Sequence, residues 1–518
     1  MFSKVYSTTI TGITAYVVTV EVDVGRGLPV FDMGGYLSTE VKEAKERVRI
    51  ALRNSGYEQK PRRITVNISP ADLHKYGTGF DLPIAIGILG AQDEVNMTVC
   101  EDMVIIGELS LDGTVNPVKG ILPSVCEALQ QGKKRCILPA ENMAEGSVVK
   151  GMELIPVRTL KEAVVYLQTG KSPAQESNST LKGNYDTAGK ESPQEQLDFL
   201  EVKGQESAKR ATMIAAAGMH NILYVGPPGS GKTMLAKRIS SIMPDLSFEE
   251  QLELTKIYSI AGQLNPDHPL MTKRPFRAPG HGVTQAALLG GGRVPRPGEV
   301  TLSGKGVLFL DELTEYRQTV LEGLREPLEE KKVILTRLTE TCVYPADFML
   351  AAAMNPCPCG YYPDMQRCRC SEPTLRRYFD KVSQPIIDRI DICVEASPLS
   401  FEDINSTTSN ESSADIRKRV MHCHELQKER FKGESFSYNS KISTDKLEKY
   451  CFLGSREKSY MENMFDKLGL TARTYHKILK VARTIADLDG CESIKTKHLN
   501  EAICYRSINE KFWGGAVS

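Results

Sequence analysis

No run of apolar residues in this sequence approaches the roughly 18 needed to span a bilayer, so no membrane partner is expected. The longest candidate, Leu82 to Ala91, is interrupted by Pro83 and reads as a buried segment. The N-terminus, MFSKVYSTTITG, lacks the basic flank and apolar stretch of a secretory signal. Net charge is also missing: 65 Lys and Arg balance 65 Asp and Glu, so only local charge can argue for a polyanionic partner. No internal repeat is found. A disulfide framework is not indicated either. The 13 cysteines are odd in number and most stand in apolar or helical contexts, which suits free thiols in a reducing compartment. The expected location is the cytoplasm.

What is present is ordinary globular composition, 41% hydrophobic and 25% charged. At about 150 residues per domain the length suggests three domains. Two polar stretches poor in hydrophobic periodicity divide the chain: Gly170 to Gln196, a linker, and the shorter Ile404 to Ser413. Residues 1–169 mix strand and helix. Ala15 to Val24 is rich in β-branched residues, as expected of a strand, and Ile64 to Ile68, Met103 to Gly107 and Cys136 to Leu138 read likewise. Val41, Ala44, Val48, Ala51 and Leu52 fall at helical spacing. Residues 197–403 alternate strand and helix as a parallel α/β sheet does: strands at Asn221 to Val225, Gly306 to Leu310 and Phe348 to Ala353, and a helix at Lys232 to Ile242. From 414 to 518 no strand is indicated, and Leu470 to Leu488 and His498 to Ile508 suggest a helical bundle.

The central piece carries chemistry. Gly226, Pro227, Pro228, Gly229, Ser230, Gly231, Lys232 and Thr233 spell G-x-x-x-x-G-K-[ST] between an apolar strand and a helix, the context that makes this motif a P-loop. The glycines let backbone N–H groups approach phosphate, Lys232 supplies charge to the β- and γ-phosphates, and the Thr233 hydroxyl is a ligand for Mg²⁺. ATP and Mg²⁺ are the cofactors implied. The strand Gly306 to Leu310 runs into two acids: Asp311, placed to hold Mg²⁺ through water, and Glu312, placed to polarise an attacking water. Asn355 ends a further buried strand, where it can orient that water or the γ-phosphate. Arg389 lies between Asp388 and Asp391; its fixed charge suits a transition-state phosphoryl group on a neighbouring subunit, and an ion pair with either flanking acid is the alternative. Arg473, near the start of a C-terminal helix, is a candidate for sensing the γ-phosphate, and Arg483 competes with it.

Two further features stand out. From His268 to Gly298 there is no Asp or Glu, while Lys273, Arg274, Arg277, His281, Arg293 and Arg296 make the segment basic. With Lys331, Lys332 and Arg337 on a suspected hairpin, it is a candidate DNA contact, set against a basic but merely solvated loop. Cys357, Cys359, Cys368 and Cys370 form C-x-C-x8-C-x-C, four thiols within 14 residues that can close a tetrahedral Zn²⁺ site beside Asn355. Free thiols or a redox disulfide are the alternatives.

These stretches resemble the ComM/YifB family of magnesium-chelatase-like AAA+ ATPases. The matching segments are GPPGSGKT, APGHGVTQAALLGGGRVPRPGEVTLSGKGVLFLDE, AAAMNPCPCGYY, DRIDI, TARTYHKILKVARTIADL and the N-terminal TVNISPADLHKYGTGFDLPIAIGIL. The resemblance implies an AAA+ P-loop domain with a C-terminal helical lid. In it Lys232, Asp311, Glu312, Asn355, Arg389 and Arg473 fall on Walker A, Walker B, sensor 1, arginine finger and sensor 2. It further implies a homo-hexameric motor on single-stranded or branched DNA, used for branch migration. A magnesium-chelatase motor subunit and a protein-remodelling ATPase are the rival classes. The N-terminal piece is similar to the Lon proteolytic domain, GELSLDGTVNPVKGIL most closely. The Ser–Lys dyad such a protease needs is replaced here: Thr78 or Gly79 falls near the serine position and Leu122 at the lysine position, with Lys119 nearby. A Lon-like α+β fold without proteolysis is expected.

Overall fold

The computed structural model describes residues 1–57, 61–171, 197–292, 294–337, 341–398 and 410–513. Most of the linker stretch (172–196), much of the second polar stretch (404–409) and Arg293 lie outside the described residues. The chain divides into two compact units. One comprises 1–190, 248–271 and 336–343, the other 191–247, 272–335 and 344–518.

The first unit is built on a seven-stranded mixed sheet. Its order is Phe31–Gly34, Arg63–Ser69, Thr14–Gly25, Phe2–Thr11, Met103–Ile105, Arg135–Pro139 and Glu153–Val157. The long hairpin Phe2–Thr11/Thr14–Gly25 is antiparallel, and the last three strands run parallel to Phe2–Thr11. On the helix Thr39–Asn54, capped by Ser38, the buried residues are Val41, Ala44, Val48, Ala51 and Leu52, the stripe that the spacing predicts. Each Val or Leu so buried contributes about 1.5–3 kcal/mol.

Pro83 does not interrupt its segment. Asp81–Ala91 is one helix, every residue of it buried, with Pro83 in the first turn. There the missing N–H has no intrahelical acceptor to lose. Gly87 lets this helix lie flat on the sheet, since a Cβ there would stand 2.6 Å from Val22. The helix Phe248–Ala261, sequentially part of the ATPase piece, belongs to this first unit, where it contacts the helix Ile121–Gln130. Its Ser259 hydroxyl meets the Glu145 carboxylate, which also accepts the Leu122 amide at 2.8 Å.

The second unit holds a five-stranded parallel sheet in the order Phe276–Arg277, Val307–Leu310, Met349–Met354, Ile222–Val225, Ile392–Glu395. The first of these strands in the chain, Ile222–Val225, therefore lies between the fourth and the fifth. In open α/β sheets the crevice at the carboxyl ends of strands around such a reversal is where ligands bind. All four residues of Ile222–Val225 and all four of Val307–Leu310 are buried, as continuous apolar strands covered on both faces must be. Helices Glu206–Gly218 and Lys232–Ile242 and the C-terminal helices Ser413–Arg430, Ala472–Leu488 and Thr496–Trp513 share one hydrophobic core with the sheet. Among the described residues no helix is long and apolar enough to cross a membrane.

Candidate functional site

The register of the parallel strands brings three chain ends together. Val225 is paired with Met354 and Leu310 with Ala352, so the P-loop, Asn355 and Asp311 all leave the sheet at its carboxyl edge. The Gly226 amide donates to the Met354 carbonyl at 3.2 Å, tying the root of the P-loop to the strand that ends in Asn355.

In the P-loop, Gly229 and Gly231 have φ of +78° and +84°, and a Cβ on either would face open space. The loop thus turns through a left-handed backbone that glycine adopts without strain, and no side chain crowds it at these two positions. The Ser230 hydroxyl is buried and has no hydrogen-bonding partner among the described residues. Buried polar groups are rarely left so, and this one fits a site made for a polar ligand. The Lys232 ammonium donates to the carbonyls of Gly226 (2.7 Å) and Pro227 (2.8 Å) and to Asn355 Oδ1 (3.2 Å). Its three protons are therefore held by neutral oxygens that phosphate oxygens outcompete. Burial pushes this lysine below its ordinary value, against the pull of Asp311 and Glu312.

Thr233 Oγ1 donates to Asp311 Oδ2 at 2.7 Å. A hydroxyl and a carboxylate joined this way at the mouth of a P-loop form an oxygen donor set suited to Mg²⁺. Glu312 follows with φ +52° and ψ +51°, left-handed for a non-glycine residue, which costs about 1–2 kcal/mol. This turn leaves Glu312 exposed while Asp311 faces Thr233. Asn355 is also held through its carbonyl, which accepts the Tyr378 hydroxyl at 3.1 Å, while that hydroxyl receives Thr314 Oγ1 at 3.0 Å. Burial pushes the Tyr378 phenol up to about 12, so it remains a donor.

The two candidate arginines meet on one carboxylate. Arg389 pairs with Glu329, and Arg473 reaches the other oxygen of Glu329 at 2.8 Å. Arg389 also donates to the carbonyls of Pro385 (2.7 Å) and Arg325 (3.1 Å). Neither flanking acid is its partner, contrary to the alternative drawn from sequence. Asp391 instead bonds Lys477 at 2.7 Å and lies 3.7 Å from His220. Burial works to raise the Asp391 carboxyl, but Lys477 and His220 override it and hold it well below the usual carboxylate range. Arg483 is 3% exposed and bound to Asp487 and to the carbonyls of Cys491 and Glu492, which makes it glue within the lid.

The basic segment divides. Arg274 is buried and donates to the carbonyls of Pro244, Lys305 and Asp245 and to the Tyr438 hydroxyl, so its charge serves the core. Arg277 forms a two-pronged pair with Glu299, at 2.6 and 2.7 Å. Both corrections have one cause: their acceptors come from residues outside the acid-free segment. Lys273, His281, Arg296 and Arg337 are exposed. Lys332–Thr336 and Thr341–Pro345 do form a two-stranded hairpin, where Lys332 lies 3.7 Å from Glu330 and Lys331 is half-buried at its base.

Three positioning residues escaped the sequence reading. Glu329 was not singled out in the sequence. Asn221 seemed only a strand start, yet its side chain joins the Leu350 amide (2.8 Å) to the Arg389 carbonyl (2.9 Å). Gln205 donates to the Ser230 carbonyl at 3.2 Å, steadying the P-loop. A buried Asn opening an apolar strand was the one available signal.

In the first unit, Thr78 hydrogen-bonds Glu108, Gly79 has no side chain, and Leu122 is buried. None of these groups can serve as the base that activates a nucleophile.

Comparison with known proteins agrees with this geometry. Three family models match: magnesium chelatase, subunit ChlI, over residues 198–404; subunit ChlI of Mg-chelatase over 20–142; and the magnesium chelatase subunit ChlI C-terminal region over 410–506. The chain is 40% identical over 506 residues to the competence protein ComM of Haemophilus influenzae, covering 97% of each chain. It is also 40% identical over 509 residues to YifB of Escherichia coli, covering 98% of this chain and 97% of the relative. Over 124 residues it is 31% identical to Lon protease 2 of Bacillus subtilis, 24% of this chain and 22% of that one. Near-full-length identity at this level, on a parallel P-loop sheet with a helical C-terminal region, carries with it the ATPase character of the group. The chain belongs to the ComM/YifB family of magnesium-chelatase-like AAA+ proteins.

Proposed function

We propose that this protein is a ring-forming, ATP-driven DNA motor, a homo-hexamer acting on single-stranded or branched DNA in the manner of a branch-migration helicase. The observation that carries the ATPase half is the convergence of Lys232, Thr233, Asp311 and Asn355 at one sheet edge. The P-loop amides and Lys232 bind and orient the triphosphate, Thr233 and Asp311 hold Mg²⁺, and Glu312 takes the proton of the attacking water. When bound, Mg²⁺ neutralises charge on the phosphate oxygens.

Arg389 and Arg473 act on the neighbour's nucleotide. Support comes from their convergence on Glu329, which keeps two guanidinium groups together for transfer to a γ-phosphate. The DNA half is supported by near-full-length similarity to a competence protein and by the exposed Lys273, His281, Arg296 and Arg337. The four-cysteine cluster adds Zn²⁺ to the proposed cofactors. The first unit serves assembly or DNA docking, with no proteolysis.

A magnesium-chelatase-type motor is the second reading, favoured by the three chelatase family matches. Steady-state ATPase with and without single-stranded and branched DNA, with Lys232→Ala as blank, separates them. Stimulation by DNA that fades as salt rises supports the DNA motor, because phosphate contacts release counterions. A rate indifferent to DNA at every salt concentration would point to the chelatase or protein-remodelling class.

A further inference from the structure

We propose that Cys357, Cys359, Cys368 and Cys370 bind one structural Zn²⁺, and that this ion holds the wall of the nucleotide site in place. The second half rests on the ATPase reading; the first does not.

The four sulfurs lie within 4.8 Å of one another. The separations are 3.2 Å for Cys357–Cys359, 3.6 Å for Cys359–Cys368 and 3.8 Å for Cys357–Cys368. Zinc–thiolate bonds of about 2.3 Å in a tetrahedron put sulfurs about 3.8 Å apart. A disulfide would need about 2.05 Å, so the cluster has the spacing of ligands around a common ion. Both C-x-C pairs contribute, one from each end of an irregular loop. The Tyr362 amide donates to Cys357 Sγ at 3.3 Å, a hydrogen bond that favours thiolate. Cys357 and Cys368 are buried, and four protein ligands leave no open position, so the site is closed and structural.

The loop these ligands tie borders the P-loop. Asn355 is two residues before Cys357. Gly360, inside the first ligand turn, has φ +84°, and a Cβ there would stand 2.6 Å from Cδ of Pro228. Backbone of the cysteine loop therefore lies directly against the P-loop. Farther along, Tyr362 lies against Phe379 and Phe512, with ring centroids 6.3 and 6.0 Å away. Apart from these contacts, the described loop is held by short turns, such as the Gly360 amide on the Cys357 carbonyl (3.0 Å) and the Cys368 amide on the Asp364 carbonyl (2.7 Å). With the ion, the distance between sensor residue and P-loop is fixed from behind.

The test begins with the full-length protein, grown in zinc-supplemented medium and purified without chelator. Elemental analysis should give about one zinc per chain, four thiolates making one site, and Cys370→Ser should lose it while the exposed Cys504→Ser keeps it. Iron in place of zinc, or no metal, would overturn the site. The coupling is read on wild-type protein stripped with a zinc-selective chelator and assayed in excess Mg²⁺. Its kcat should fall about 10²-fold, the cost of small misplacement of reacting groups, and return when Zn²⁺ is restored. Should stripped protein keep its full rate, the metal site would stand and the coupling would be refuted. Far-ultraviolet circular dichroism on the stripped protein separates a displaced loop from an unfolded one, and global unfolding on zinc removal would also refute the local role. A protein that lacks ATPase activity even when zinc-loaded would instead sink the ATPase reading.

Discussion

Arg473 and Arg483 are ten residues apart on one helix, and the structure gives them opposite tasks that a pair of alanine substitutions can separate. Arg483 is 3% exposed and makes four hydrogen bonds, two to Asp487 Oδ1 (2.9 and 3.1 Å) and one each to the carbonyls of Glu492 (2.7 Å) and Cys491 (2.6 Å). Asp487 is itself 1% exposed and keeps Arg430 and Asn439 as partners if Arg483 is removed. The anion would not be bare, which places Arg483→Ala toward the lower end of the roughly 3–5 kcal/mol typical of breaking a buried pair. At about 2–4 °C per kcal/mol, melting should fall by roughly 6–12 °C for a 3 kcal/mol loss. Arg473 is 47% exposed and its ion-pair partner, Glu329, is 48% exposed, so Arg473→Ala should change stability by less than about 1 kcal/mol. Calorimetry and ATPase on the same preparations decide. Arg473→Ala should melt like wild type and hydrolyse poorly; Arg483→Ala should melt early and hydrolyse normally well below its transition. Wild-type melting of Arg483→Ala, together with lost hydrolysis, would refute the assignment.

Glu312→Gln should bind ATP while kcat falls about 10²–10⁴-fold, the usual worth of a general base; retained turnover would remove Glu312 from that role. Glu329→Gln should lower kcat by releasing both arginines, with stability changed by under about 1 kcal/mol for so exposed a group, and an unchanged rate would mean the shared carboxylate is incidental. Asp391→Asn leaves Lys477 facing a neutral group and should cost about 3–5 kcal/mol in urea unfolding. Because its folded carboxyl titrates well below the usual carboxylate range, that contribution is full above about pH 4 and is lost progressively as pH falls further. The gap between wild type and variant should therefore narrow steadily as pH falls below about 4, and a gap that does not shrink between about pH 4 and pH 2 would count against the pairing.

Local pattern was enough wherever one element decides its own fate. Helical spacing alone named the five buried residues of Thr39–Asn54, because a stripe on one face must find a core. The P-loop and the acids after Leu310 were legible because phosphate and Mg²⁺ demand fixed residue types at fixed spacing. The sequence also showed four cysteines, but not that their sulfurs share a 4.8 Å cluster. Charge was where sequence fell short. Arg274 and Arg277 counted as basic, yet the acceptors that neutralise their use elsewhere lie up to 164 residues away, at Tyr438, and 22 away, at Glu299. Arg389 was offered two neighbouring acids and took Glu329, 60 residues earlier. A guanidinium binds whichever acceptors the packed backbone presents, and only tertiary structure sets that choice. The sequence by itself determined the chemistry of the nucleotide site; the fold decided which charges remain available to act.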